Sequence, residues 1–427
     1  MLTKEIYDNY TAILKDELIE ALGCTEPIAI AYAAAKAKAV LGKQPERIEI
    51  GCSGNIVKNV KGVVVPNTGG LIGIEAAAIA GVIGGDADRE LQVLESVKKE
   101  QYEEIGRLIK EGYCSVYHLI GVENLYIEAK AYSGDESAEV CISESHTNVI
   151  KIVKNGQVIF EKENNDKEEQ GPTGDTCLLN IKDIIEFADT VDLDEYELRD
   201  LLKNQIEKNT AIAEEGLKND YGVSVGKTLL KYYGDDVKVR AKAKAAAGSD
   251  ARMSGCSLPV VINSGSGNQG ITVALPVVEY AMELKVSEEK LLRALIISNL
   301  VSIHQKSLIG KLSAYCGAVS AATGSAAAIT YLHGGDYEAI SKTIINTTAN
   351  VSGIVCDGAK PSCAAKIASA VDAAILGHQL STEGKVFRNG EGLVKDGVEA
   401  TIESIGRLGR KGMEATDIEI IDIMLDK

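Results

Sequence analysis

Apolar residues recur at helical spacing from the start of the chain: Ile6, Tyr7, Tyr10, Ile13, Leu14, Leu18 and Ile19 fall on one face of residues 3–20. Gly23 ends that pattern, and Pro27 is placed to open a second, alanine-rich helix reaching about Val40. The pattern then shortens. RIEIGCS, NIVKNV and GVVVPN are brief apolar runs cut by Gly and Asn and read as strands. LIGIEAAAIAGVIGG predicts a small-residue helix closing on Gly84-Gly85, and residues 89–111 a charged one. Five more strands follow in CSVYHLI, LYIEAKAYS, AEVCISE, NVIKIVKN and QVIFEKE, with Asn155-Gly156 as the hairpin turn before the last. Residues 163–176 contain no apolar residue and predict a linker.

Helical periodicity dominates the rest, near 180–189, 193–216, 225–233, 236–247, 271–284, 287–310, 314–332, 336–351, 361–377 and 392–408, with LPVVIN a short extended piece. The fold class expected is α+β: a mainly antiparallel sheet domain plus a larger, mostly helical one. Residues 1–42 are expected to pack on the helical domain, 43–175 to form the sheet domain with its linker, and 176–427 to form the helical domain.

Composition narrows the function. The 427 residues carry a net charge of −17, which repels nucleic acid and anionic membranes. No segment is apolar enough for a membrane span, and the N-terminal stretch alternates charge with apolar residues rather than resembling a signal peptide. Nine irregularly spaced cysteines predict a reducing cytoplasm rather than a disulfide framework.

Candidate chemistry concentrates in Ser313–Cys363. Cys316, Cys356 and Cys363 each sit beside Gly, Ala or Ser, leaving room for a bulky group near the backbone. Pro361 and Ser362 read as helix-start signals, which puts Cys363 in a first turn where thiolate is favoured. A single free cysteine is more often a packing residue, but three in glycine-lined loops are harder to explain that way. The paired spacing of a structural zinc site is absent; three thiolates fit an iron–sulfur cluster with one iron left open. Cys24, ahead of the helix at Pro27, is open to the same two readings, reactive thiolate or packing residue.

The loop Asn263-Ser264-Gly265-Ser266-Gly267-Asn268-Gln269-Gly270 contains GSGNQG, formally G-x-G-x-x-G, between a predicted strand and helix. No second parallel strand follows, so a small carboxylate held on backbone N–H groups fits better than a dinucleotide, with a plain packing loop as the remaining reading. Gly248–Cys256 reads as a polar loop in which Arg252 either grips a substrate carboxylate or pairs with Asp250. His304 and Lys306 lead toward Cys316 and are candidates for proton transfer, with a packing role the blander reading for His304.

Together GCTEPIAIAYAAAKA, NSGSGNQGITVALPV, KSLIGKLSAYCGA and GIVCDGAKPSCAAKIA resemble the L-cysteine desulfidase family, which is related to the iron–sulfur L-serine dehydratases. The resemblance runs from Cys24 past Cys363. It implies a [4Fe–4S] cluster on Cys316, Cys356 and Cys363, no pyridoxal phosphate, and Cys24 as catalytic base or sulfur relay. It implies a substrate site on Thr25, Glu26, Asn263, Ser264, Gly265, Ser266, Gly267 and Asn268. The reaction implied is α,β-elimination of L-cysteine to pyruvate, ammonia and hydrogen sulfide, by a cytoplasmic protein whose partner is a small amino acid and which is open to homodimer formation. Lys311 stands where arginine is expected, and no cysteine follows Cys363 to act as a fourth ligand from a C-terminal tail. Alternatives remain: dehydration of L-serine or another β-substituted amino acid, a non-catalytic cluster-bearing redox or sulfur-binding protein, and NAD-linked oxidoreduction resting on GSGNQG alone.

Overall fold

In the computed structural model, residues 2–162, 174–310 and 312–425 are described; Lys311 and most of the expected linker lie outside them. Helix α1 (Lys4–Glu17) is capped by the Thr3 hydroxyl, and its Tyr7 and Tyr10 pack on Phe187. A three-residue strand β1 (Glu20–Leu22) leads to α2 (Thr25–Leu41), which ends in a left-handed Gly42. Strand β2 (Arg47–Ser53) is followed by α3 (Gly54–Val60) and, after a loop, by α4 (Ile74–Gly84). Turns of 3-10 helix over 87–101 lead into α5 (Tyr102–Lys110).

Five strands follow: β3 (Cys114–Leu119), β4 (Tyr126–Ser133), β5 (Glu136–Ser143), β6 (Val149–Lys154) and β7 (Gln157–Glu161). The sheet order is β3-β2-β4-β5-β6-β7; β2 and β3 run parallel and every other neighbour antiparallel. Alternation on β4 buries Ile127, Ala129 and Ala131, and this face of the sheet rests on α2.

Helices α6 (Ile181–Thr190), α7 (Leu198–Lys218), α8 (Val225–Tyr233) and α9 (Val237–Met253) precede the short β8 (Pro259–Val261). Then come α10 (Gly267–Leu284), α11 (Glu288–Ile309), α12 (Gly317–Leu332), α13 (Tyr337–Asn350), α14 (Cys363–Thr382), α15 (Val398–Arg407) and α16 (Glu414–Met424). Small residues let these helices close together: a Cβ on Gly324 of α12 would come within 2.3 Å of the Ser298 carbonyl of α11. The result is a mixed α+β, mainly helical protein. Residues from all three expected segments contribute to one contiguous apolar core. Of residues 1–42, α1 packs against α6 and α11, whereas α2 lies on the sheet.

Three local expectations are corrected. NIVKNV is helix α3, not a strand. The Ser53 hydroxyl donates to the Asn124 carbonyl at 2.7 Å where β2 ends, and the chain turns inward from there. Asn55, Lys58 and Asn59 then share a helical face, which Val and Ile propensity alone hides. GVVVPN forms one isolated bridge, Val64 to Ile72, rather than a strand. Gly248–Met253 is not a loop but the end of α9, with Arg252 in its last turn. Two elements escaped the sequence reading, β1 because it is too short to show a period, and α16.

Candidate active site

Two backbone devices assemble the site. The loops at 313–316 and 353–356 pair: Tyr315 bridges Val355, the Cys316 amide donates to the Ile354 carbonyl at 2.9 Å, and the Cys356 amide to Ala314 at 2.7 Å. This brings thiols forty residues apart in sequence into mutual contact, the pair Cys316 and Cys356 sharing a hydrogen bond. Cys363 opens α14, and its Sγ points back at the Gly358 carbonyl, 3.7 Å away. Gly358 sits at φ +93°, and a Cβ there would come within 2.2 Å of the Lys58 carbonyl, so only glycine lets this loop lie against α3.

The second device pairs β1 antiparallel with β8. It sets the start of α2 beside the turn at 263–266, where the Thr25 hydroxyl donates to the Gly265 carbonyl at 2.9 Å. Cys24 is the residue before α2 and packs with Met253, Ala359 and Cys363. The four thiols of Cys24, Cys316, Cys356 and Cys363 therefore line one cavity of about 100 Å³, with Glu26, Arg252, Ser266, Asn268, Gln269 and Lys306.

The remaining loop residues support this cavity from behind. Asn263 accepts from Ser264 and Ser302 and donates to Asn299, so its amide is spent on α11. Gly267 is needed for packing, since a Cβ there would meet Arg252 Nε at 2.3 Å. The strand β8 before the loop pairs antiparallel with β1 alone, which leaves no parallel-sheet crevice for a dinucleotide.

Electrostatics departs from the helix-terminus expectation. The Cys24 thiol donates to Glu26 Oε2 at 3.0 Å, and burial, with the Glu26 charge, pushes it well above the ordinary thiol range. Glu26 also accepts from Asn59 Nδ2 at 3.0 Å, and at 3.1 Å it shares the Thr25 hydroxyl proton with the Gly265 carbonyl. Burial opposes its ionisation, but the charge of His146, the Cys24 bond and nearby Arg252 together hold it below the usual carboxylate range. Cys24 is thus a protonated thiol resting on a carboxylate. Cys363 is also raised, by burial first. Cys356 alone is lowered: its bond from Cys316 outweighs burial, helped by the charges of Lys58 and Lys306.

Arg252 is almost fully buried, forms neither a side-chain hydrogen bond nor an ion pair among the described residues, and leaves its Nε without a partner. Asp250 does not pair with it; Asp250 accepts instead from the Gly226 amide at 3.0 Å. Asn268 Oδ1 and Gln269 Oε1 are likewise buried without a donor. A buried cation facing two orphaned acceptors is costly unless a ligand completes it, and an α-amino acid carries both groups required. Lys306, also buried, is lowered to about 8 by burial, against the opposing charges of Cys356 and Cys316. His304 does not reach the cavity: its Nε2 bonds Glu399 at 2.7 Å and ties α11 to α15.

Sequence reasoning missed Gln269 as a cavity-lining residue, and it missed Asn59 and His146. The signal for Asn59 was the helical spacing in NIVKNV; His146, which follows β5 and lies against Gly265, carried none.

The donor set suits an iron–sulfur cluster: three thiols converge with no disulfide among them, beside two buried ammonium groups that would offset a cluster's negative charge. No helix among the described residues is long and apolar enough to cross a membrane.

Residues 88–422 match the family described as serine dehydratase alpha chain. The chain is also 56% identical over 421 residues to a UPF0597 protein of Lachnoclostridium phytofermentans, covering 99% of this chain and 100% of that one. It is 53% identical to a UPF0597 protein of Desulfitobacterium hafniense, with 99% and 97% covered, and 48% identical to one of Treponema denticola, with 99% of each covered.

Proposed function

The chain belongs to the serine dehydratase alpha chain family, a family of iron–sulfur lyases, and within it we propose an L-cysteine desulfidase that holds a [4Fe–4S] cluster on Cys316, Cys356 and Cys363. The observation that carries this reading is the shared cavity: four thiols and a buried Arg252 whose Nε is unpartnered, around one space of about 100 Å³. When bound, the cluster supplies a Lewis-acidic iron beside the leaving group.

The chain's own residues account for the rest. Arg252 takes the substrate carboxylate, and Asn268 Oδ1 and Gln269 Oε1 accept from its ammonium. Cys24 Sγ removes the Cα proton as its own proton passes to Glu26 Oε2, so the thiol–carboxylate pair acts as one base. Asn59 and Thr25 keep that carboxylate aimed. The Cα–H electron pair forms the Cα–Cβ double bond, the Cβ–S bond breaks, and hydrosulfide leaves with a proton from Lys306 Nζ, which can give one up near neutral pH. Aminoacrylate then tautomerises and hydrolyses in water to pyruvate and ammonia.

Cysteine rather than serine rests on the desulfidase resemblance of the four motifs; the family's own description favours serine as the second reading. Anaerobically purified protein, analysed for iron and labile sulfide, should release sulfide and pyruvate from L-cysteine faster than pyruvate from L-serine. The reverse preference selects the dehydratase, and no turnover of either sinks both. Arg252→Met should raise KM for the amino acid about 10–100-fold, the loss of one charge-assisted contact of roughly 1.5–3 kcal/mol.

A further inference from the structure

The C-terminal helix is seated unlike any other. Six of the eleven residues of α16 are apolar, yet none is buried, and Ile418 and Ile423 face solvent. Polar groups hold it. Asp417 accepts from Asn55 Nδ2 at 2.7 Å and pairs with Lys58, while Lys61 donates to the Met424 carbonyl. Ile421 rests on Gly54 of α3, where a Cβ would come within 2.7 Å of it.

Lys58 is the uncommon member of this group. Its side chain is 1% exposed and Asp417's is 13%. The ion pair therefore joins a buried cation of α3 to a loosely packed helix, and α3 is also the helix whose Asn59 holds Glu26. Lys58 also bears on the cysteine loop directly, for a Cβ on Gly358 would come within 2.2 Å of the Lys58 carbonyl. Between α16 and the body of the protein lies a cleft of about 1210 Å³, which begins at His118 and Asn55 and reaches Leu312 and Ser313. Those last two residues also line the thiol cavity, so they form a wall shared by the cleft and the cavity.

We propose that Lys58 is a positioning residue of the thiol site, and that α16, latched to it through Asp417, gates the cleft by which an amino acid reaches that site. The gate rests on the reading of the thiol cavity as the active site. A cation this deep needs its counter-charge, so an intact ion pair favours the seated helix. With few apolar contacts to break, the helix is drawn from the least stable part of the fold, as moving elements are.

The test uses full-length protein. Reduced, metal-free wild type, Asp417→Asn and Asp417→Glu are exposed to iodoacetamide, and each cysteine is followed by peptide mass mapping. Asp417→Asn should label Cys24 and Cys363 at least about 10-fold faster than wild type, with Asp417→Glu close to wild type. Cys52 and Cys114, buried on strands β2 and β3, report on general loosening and should keep their rates. Equal labelling of Cys24 and Cys363 in Asp417→Asn and wild type overturns the gate, and so does a parallel rise at Cys52 and Cys114. In the iron-loaded enzyme, Lys58→Met should lower kcat at least about 10-fold at unchanged iron content with KM moving less, and Lys58→Arg should recover part. Wild-type kcat in Lys58→Met overturns the positioning role. Should wild type turn over neither L-cysteine nor L-serine, the catalytic reading and the role of Lys58 fall together, while labelling still decides the gate.

Discussion

Replacing Glu26 by glutamine removes a charge without removing bulk, and the structure says what each atom then faces. Oε2 accepts from Cys24 Sγ and the Thr25 hydroxyl at 3.0 and 3.1 Å, and Oε1 accepts from Asn59 Nδ2 at 3.0 Å. A glutamine has one acceptor and one donor end. If its oxygen keeps Cys24 and Thr25, its NH₂ opposes the NH₂ of Asn59. One bond to a charged acceptor, roughly 1.5–3 kcal/mol, is lost, partly offset by no longer burying a charge, so the fold weakens by about 1–2 kcal/mol. The chemistry changes more. The carboxylate that receives the thiol proton is gone, and loss of a general base costs roughly 10²–10⁴ in kcat. The same change moves Cys24 the other way in metal-free protein. The Glu26 charge and its acceptor oxygen both keep the thiol protonated, so Glu26→Gln should shift the pH profile of Cys24 alkylation to lower pH. Sulfide release by loaded enzyme and mass-mapped alkylation across pH 6–10 measure the two effects. Activity within threefold of wild type, together with an unmoved alkylation profile, would refute the thiol–carboxylate base.

Two more outcomes follow from the geometry. His378, bonded to Thr330 at 2.9 Å with its ring centroid 4.6 Å from that of His333, is lowered to about 4 by burial first and by His333 second. Unfolded histidine titrates near 6.5, so the stability from keeping it neutral is complete above that pH and drains away as pH falls toward 4. In denaturant unfolding, the loss between pH 7 and pH 5 should be about 2 kcal/mol smaller in His378→Gln than in wild type; equal losses would show that His378 is not the group responsible. Gly358→Ala forces a side chain onto a φ of +93° and against the Lys58 carbonyl. Iron per chain after anaerobic reconstitution should fall by more than half while helical circular dichroism is kept, and full iron content would show that the loop tolerates the change.

The sequence by itself determined the large elements. The long helices from Ile181 onward and the strands of the sheet follow from periodicity and turn residues, because a period of 3.6 or 2 is repeated enough times to be unambiguous. The three cysteines stood out because their glycine- and alanine-rich neighbours are a local property. Tertiary structure decided what local signals leave open. NIVKNV is helical because Asn59 and Lys58 are held by Glu26 and Asp417, partners 33 and 359 residues away. A strand as short as β1 exists only because β8 completes its hydrogen bonds. Cys24 is a protonated thiol because burial and a neighbouring carboxylate outweigh the field of a helix end, and Arg252 lines the cavity with its Nε unpartnered because no acid among the described residues forms an ion pair with it. A residue's own chain neighbours fix its backbone period, whereas its charge state and its ligand depend on whatever the fold brings within a few ångströms.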